Sequence, residues 1–419
     1  MSKTQETTQA RPTRGSLWRN RNYLLLWSGQ TISSIGGGIS LIAFPWLVLS
    51  FTGSPLAAGL AGLLRTLPNI LYLFAGALVD RWNRKLVMII CDSGRALSLF
   101  SIPLALWLGH LTLGQLYLNA SLEGILQVFF SLAYVSSLPQ VVRKEHLMLA
   151  TAQEEVTESI TGLLGPALAG PLFAVARLLP FLFDACSYVI SVVSLLFIGI
   201  PFQAVREPAQ ARHLWQEVGE GLRWMWRQPV IRAMNLLNIA AALVVPGETL
   251  IALVLLRAAH TPDIWIGLIF ASGGVGALVS ATLAPAAQRF LSVGQSIILV
   301  RWLFALLWPC YLFGQPLALG LLNTSLGFVD PFEDVPYFSY RLAVIPEALR
   351  GRVIGACRLF TSLSNPLGQL CTGAVLQYWG VQPTIILGTI ILVLVALGFT
   401  LNPHIRAARF PQQTPDPAK

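Results

Sequence analysis

Stretches of about 18 or more apolar residues recur along this chain roughly a dozen times, and no other feature narrows its possible folds so far. A bilayer core is crossed by roughly 20 residues of helix. The sequence predicts such spans near 22–51, 54–79, 86–108, 112–137, 150–176 and 179–200. After a polar break they resume near 230–256, 263–287, 294–313, 316–340, 353–379 and 383–402. Strands of a membrane barrel are excluded, because those alternate apolar and polar residues over about ten positions. The expected fold is an all-α integral membrane protein with twelve transmembrane helices in two pseudo-symmetric six-helix bundles.

Charge supports this class and sets an orientation. Charged residues make up 11% of the chain, against roughly 25% in soluble domains. The net charge of +9 invites a nucleic-acid reading until its distribution is followed. Of the 28 Lys and Arg, Arg65, Arg95, Arg301 and Arg358 lie within apolar spans. Only Arg177 and Arg257 occupy one set of alternate loops, which leaves 22 for the tails and the other loops. That asymmetry is the positive-inside pattern, and it places both termini in the cytoplasm. Basicity is then a consequence of topology, and no nucleic-acid partner is expected.

The polar break at 201–229 ends in an amphipathic helix with Leu214, Val218, Leu222, Met225 and Trp226 on one side. It reads as a linker lying at the cytoplasmic interface. On either side of it the chain matches itself at an offset of 207–208 residues. LWRN at Leu17 falls on MWRQ at Met225, DRW at Asp80 on QRF at Gln288, PQVVR at Pro139 on PEALR at Pro346, and Glu123 on Asp330. Two related halves with a binding site between them are the plan of a transporter. The expected parts are a tail over 1–21, a bundle over 22–200, the linker, a second bundle over 230–402 and a tail over 403–419.

The charged stretch GALVDRWNRK contains Gly76, Asp80, Arg81, Arg84 and Lys85 between two apolar spans. Arg81, Arg84 and Lys85 suit a topological staple. Gly76 suits a close helix approach, and Asp80 with Arg81 suits hydrogen bonding across helices. This G-x-L-x-D-R-x-x-R-K pattern resembles the signature loop of the major facilitator superfamily, with Asn83 where a second glycine is usual. The runs DSGRAL, FLFDACSYVISVVSLL, EVGEGLRWMWRQPVIR and IPEALRGRVIGACRLF resemble the branch of macrolide-efflux and enterobactin-exporter-like proteins, the transmembrane secretion effectors. The resemblance implies a twelve-helix exporter working by alternating access, commonly in antiport with protons. It also implies that the signature loop latches the halves on the cytoplasmic side. Arg143, Arg350 and Arg352, at matching places downstream in each half, join that gating set. The family's helix-five run reads GLLGPALAGPL here, with Gly162, Gly165, Pro166 and Gly170 as packing positions and Ala169 where a glycine is expected. Helix four lacks the family's arginine and carries Glu123 instead.

Charges at mid-membrane cost roughly 2.5–3.5 kcal/mol each on insertion scales, so they need partners or work to do. Asp92 and Arg95, three apart, can share a helix face and partly neutralise each other. Asp330, Glu333 and Asp334 can also share a face, in a segment broken by Pro331 and Pro336. Glu248 follows a Pro-Gly break in helix seven, and Asp184 falls near the outer end of helix six. Glu123, Glu248 and the three acids of helix ten, with Asp92 and Arg95, are candidates for proton or substrate coupling, and the acids of helices four and ten equally for gating. Aromatic residues such as Phe44 and Trp46 read mostly as lipid-facing or interfacial. Scattered cysteines and histidines suggest no metal site, and no cofactor or covalent catalysis is indicated.

The function expected is secondary efflux of an amphipathic small molecule, such as a drug, macrolide or siderophore-like compound, by a monomer in the lipid bilayer. An uncoupled facilitator or importer of the same fold, or a non-transporting sensor or scaffold, stays open beside it.

Overall fold

The computed structural model describes residues 17–79, 81–200, 202, 214–287, 291–346 and 349–408, and nearly all of them are helical. The first half contains α1 (Arg21–Thr52), α2 (Pro55–Thr66), α3 (Tyr72–Val79), α4 (Arg84–Trp107), α5 (Leu113–Val141), α6 (Leu147–Val175) and α7 (Leu179–Phe197). A linker helix, α8 (Leu214–Arg227), follows. The second half contains α9 (Pro229–Ala241), α10 (Glu248–Ala258), α11 (Asp263–Ala287), α12 (Val293–Leu307), α13 (Pro316–Val329), α14 (Pro331–Val344), α15 (Arg350–Trp379), α16 (Val381–Leu401) and the short α17 (Pro403–Arg406).

Among the described residues nine helical spans are long and apolar enough to cross a membrane, with α9–α10 counting as one. The other three expected ranges are also helical but fall short of that measure for visible reasons. Pro68 lies in a 3-10 stretch, Leu67–Leu71, that separates α2 from α3. Asp330 and Pro331 divide α13 from α14. α15 carries Arg350, Arg352 and Arg358 early and the polar run TSLSNPLGQ through its middle. The Pro-Gly break appears as a 3-10 turn, Val245–Gly247, with Glu248 beginning α10.

Local chemistry sets the helix ends. The Asn20 side chain accepts from the backbone N–H of Asn22 and Tyr23, Ser54 from Ala57, and Thr112 from Gln115. Each satisfies donors that a helix start leaves without partners. Asn83 does the same for α4, accepting from Leu86. That explains an asparagine where a glycine is usual.

Successive spans alternate in direction, so the turns fall on two faces. The face bearing Arg81, Arg143 and α8 is called the basic face here. The other bears the turns at 53–54, 109–112, 176–178 and 259–262. Within the first half α1 packs on α6 and α7, and α4 on α5 and α7; within the second, α11 packs on α13 and α12 on α16. Contact between the halves runs along α2 with α15 and α6 with α11.

Small residues make those contacts close. A Cβ on Gly170 would lie 2.8 Å from the Gly267 Cα, and one on Gly59 would lie 3.1 Å from the Gly373 Cα. Both meetings lie toward the face opposite the basic one. Gly165 meets Gly38 of α1 within the first half, where an added Cβ would come 2.8 Å from the Gly38 Cα. Gly76 and Gly162 differ from expectation, since a Cβ on either would meet nothing within 4 Å. Gly162 contributes its carbonyl instead, 3.2 Å from where a Cβ on Gly274 would sit.

Two further expectations are corrected. Trp46 is fully buried and stacks on Phe173 at 4.3 Å between centroids, so it is core and not belt. In α8, Met225 packs into a small core with Ile231, Ile345, Val353 and Cys357, while Trp226 is exposed. The helix therefore docks on the second half.

Candidate functional site

The first half encloses a chain of polar side chains drawn from four helices. Arg95 on α4 donates to Glu123 Oε1 on α5 from Nε at 2.9 Å and Nη2 at 2.6 Å. The Tyr188 hydroxyl on α7 donates to the same oxygen at 2.8 Å, and the guanidinium carbon lies 4.1 Å from the Tyr188 ring centroid. Asp92 accepts from Ser191 at 2.5 Å, and Ser191 accepts from Gln30 of α1 at 2.7 Å. Asp92 and Arg95, the pair suggested by spacing, approach only to 3.8 Å. All these groups are buried, where charge-assisted bonds of this kind are strong.

Asp184 extends the same core. Expected near an interface, it is fully buried. It sits against Gly36 of α1, where a Cβ would come 2.6 Å from its Oδ1. A glycine in SIGGG is what gives that carboxylate room. Among the described residues neither Glu123 Oε2 nor Asp184 Oδ2 has a hydrogen-bond partner. Sequence reasoning missed Asp184, Tyr188, Ser191 and Gln30 as members of this group. The Ser and Tyr repeating within an otherwise apolar α7 were the available signal.

In the second half Glu248 is half-buried at the head of α10, within electrostatic reach of Asp330 and Tyr311. Asp330 is exposed at the α13–α14 break. The side chains of Glu333 and Asp334 lie outside the described residues, so the shared acidic face is not described.

On the basic face the signature residues serve several tasks. Arg84 donates to the Ser136 carbonyl at 2.8 Å and Lys85 to the Ile198 carbonyl at 2.7 Å. Both cations thus pin the start of α4 to carbonyls near the ends of α5 and α7, where helix dipoles favour positive charge. Arg81 and Arg143 are exposed. Arg352 pairs with Glu220 of the linker helix. Asp80 and the Arg350 side chain lie outside the described residues.

Two cavities lie between the halves. One, of about 490 Å³, opens in the half of the molecule toward the basic face and includes Asn69, Tyr72, Ser131 and Arg358. The other, of about 320 Å³, lies toward the opposite face and includes Ser50, Arg177 and Arg257.

A multi-pass helical bundle split into two halves, with a buried charged network inside the first and cavities at their junction, has the plan of a membrane transporter. The chain belongs to the transmembrane secretion effector family of the major facilitator superfamily, which it matches over residues 15–408. It is 26% identical over 400 residues to the multidrug efflux pump Tap of Mycolicibacterium fortuitum, covering 91% of this chain and 96% of Tap. Its identity to macrolide efflux protein A of Streptococcus pyogenes is 24% over 406 residues, covering 93% and 97%. A crystal structure of a nucleoside transporter NupG variant superposes with a TM-score of 0.75 at 13% identity, covering 91% of this chain and 99% of that one. A bacterial homologue of the lysosomal transporter Spinster gives 0.71 at 14%, covering 94% and 99%. At such identities the likeness establishes the fold.

Proposed function

We propose that this protein is a secondary active exporter that carries an amphipathic small molecule out of a bacterial cell, by alternating access and in exchange for protons. The observation that carries the reading is the asymmetry between the halves. Near one face they meet glycine to glycine, at Gly170–Gly267 and Gly59–Gly373. Toward the other they part around a cavity of about 490 Å³. One end shut and the other open is one of the two states an alternating-access cycle requires.

The concentration of Lys and Arg supports reading the open end as cytoplasmic, in an inner-membrane protein. Bundles over 22–200 and 230–402, joined by the linker over 201–229, are the bodies that would move in a monomer. The signature set of Gly76, Asp80, Arg81, Arg84 and Lys85, with Arg143, Arg350 and Arg352, would hold the cytoplasmic side when it closes. Export is supported by the efflux relatives. Proton exchange is supported by the bare carboxylate oxygens of Glu123 and Asp184 and by the neighbouring Glu248 and Asp330.

Everted vesicles test this with ethidium as the amphipathic probe and an external pH dye. Ethidium should enter and release protons, and Glu123→Gln, Asp184→Asn, Glu248→Gln or Asp330→Asn should abolish that release in at least one case. Ethidium movement with no proton release in wild type would favour the uncoupled facilitator.

A further inference from the structure

Of the four arginines within apolar spans, three are engaged. Arg95 holds Glu123. Arg65 donates to the Ser40 carbonyl at 3.2 Å. Arg301 donates to Asn238 at 2.8 Å and lies over the Phe399 ring. The fourth, Arg358, is exposed, and among the described residues its guanidinium has no hydrogen bond or ion pair. It stands eight residues into α15, about 12 Å along the helix from its start at the basic face. A cation at that depth is costly unless water or an anion meets it.

Arg358 lines the larger cavity between the halves. Facing it across that space, Asn69 and Tyr72 come from the broken second span and Ser131 from α5. Thr361 and Ser362 follow it on α15. Among the described residues no carboxylate lines the cavity. The acids Asp92, Glu123 and Asp184 are buried inside the first bundle, away from it. Ile70, Leu132 and Leu359 supply apolar wall. A pocket that sets apolar wall beside several polar groups and a cation with no carboxylate partner among the described residues suits an amphiphile with an acidic head.

We propose that this crevice binds the anionic headgroup of an amphiphile, with Arg358 as its counter-ion and Asn69, Tyr72 and Ser131 as hydrogen-bonding neighbours. The acid is either a single-chain carboxylate presented as cargo or the phosphate of a membrane lipid. Its depth puts the head within reach of the leaflet on the basic face, and the apolar tail remains toward the bilayer. The site goes beyond the exporter reading, since its anionic amphiphile occupies the crevice whatever other compounds are carried, and it rests on that reading only for the idea that something enters between the halves.

Native mass spectrometry of the full chain in detergent tests the site without transport, so failure of the export assay and failure of this one are separate results. The probes are oleate, oleylamine, phosphatidylglycerol and phosphatidylcholine. Wild type should retain one oleate with a preference over oleylamine of about tenfold or more, the equivalent of one charge-assisted contact. Arg358→Gln should erase that preference, and Arg358→Lys should keep most of it. Displacement of oleate by phosphatidylglycerol but not phosphatidylcholine identifies a lipid headgroup. Resistance to both lipids identifies a single-chain acid. Equal binding of oleate and oleylamine by wild type overturns the proposal, as does an unchanged oleate preference in Arg358→Gln. If Arg358→Gln fails to fold, the wild-type comparison of oleate with oleylamine decides.

Discussion

The Arg95–Glu123 pair shows what a single residue does in this bundle. Both groups are buried, and the pair is completed by the Tyr188 hydroxyl at 2.8 Å. Removing one partner strands the other charge in a low dielectric, which costs about 3–5 kcal/mol. Arg95→Met should therefore lower the melting temperature in detergent markedly. Adding Glu123→Gln to it should recover much of the loss, because the stranded charge is gone. A double variant no more stable than Arg95→Met would argue that Glu123 is not the charge held. Tyr188→Phe removes one donor to the Glu123 carboxylate and should cost about 1.5–3 kcal/mol in the same melt. Spacing in the sequence made Asp92 and Arg95 neighbours, yet Glu123 at 2.6 Å is the closer partner, against 3.8 Å for Asp92. Spacing along one helix limits which residues share a face, but it does not say what the next helix brings to that face.

At the scale of elements, glycines decide which helices meet. The docked linker helix has Gly221 against the Arg352 backbone carbonyl, beside the Glu220–Arg352 ion pair. Gly221→Leu raises the helical propensity of α8 but overpacks the contact, at a cost of about 1–3 kcal/mol. Limited proteolysis should then cut near α8 faster than in wild type. Glu220→Gln should change the cutting little, since exposed ion pairs contribute about 0.2–1 kcal/mol. The reverse order of effects would make the ion pair the anchor. Gly267→Val places side-chain atoms against Gly170, whose Cα lies 2.6 Å from where the Cβ would sit. In a cysteine-free background a Ser50→Cys reporter on the smaller cavity should then react faster with an impermeant thiol reagent. Unchanged labelling would show that this contact does not govern access from that face. The amphipathic pattern of α8 was legible in the sequence, with Met225 inward as expected. Trp226 follows Met225 by about 100° around the helix, which carries it off the buried stripe that Gly221 and Met225 define.

For the whole molecule, the prediction concerns motion of one half against the other. Ser54 at the start of α2 donates to Gln377 of α15 at 2.8 Å, joining the halves near the face opposite the basic one. A Ser54→Cys, Gln377→Cys pair should cross-link under mild oxidation and stop ethidium movement, and reduction should restore it. Continued transport with the link in place would contradict separation of the halves there. The sequence by itself determined that this chain spans a membrane many times, where most spans break and which face is basic. Hydropathy, proline, glycine and charge act locally, so each can be read in place. Only the tertiary structure decided how each helix is turned. Lipid and protein interior are both apolar, so a spanning helix carries little pattern to say which side faces which. The partners of Asp92 and Glu123 lie 99 and 65 residues away, in Ser191 and Tyr188. Among the described residues Arg358 has none, and it faces a cavity that exists only because two halves of the chain stand apart.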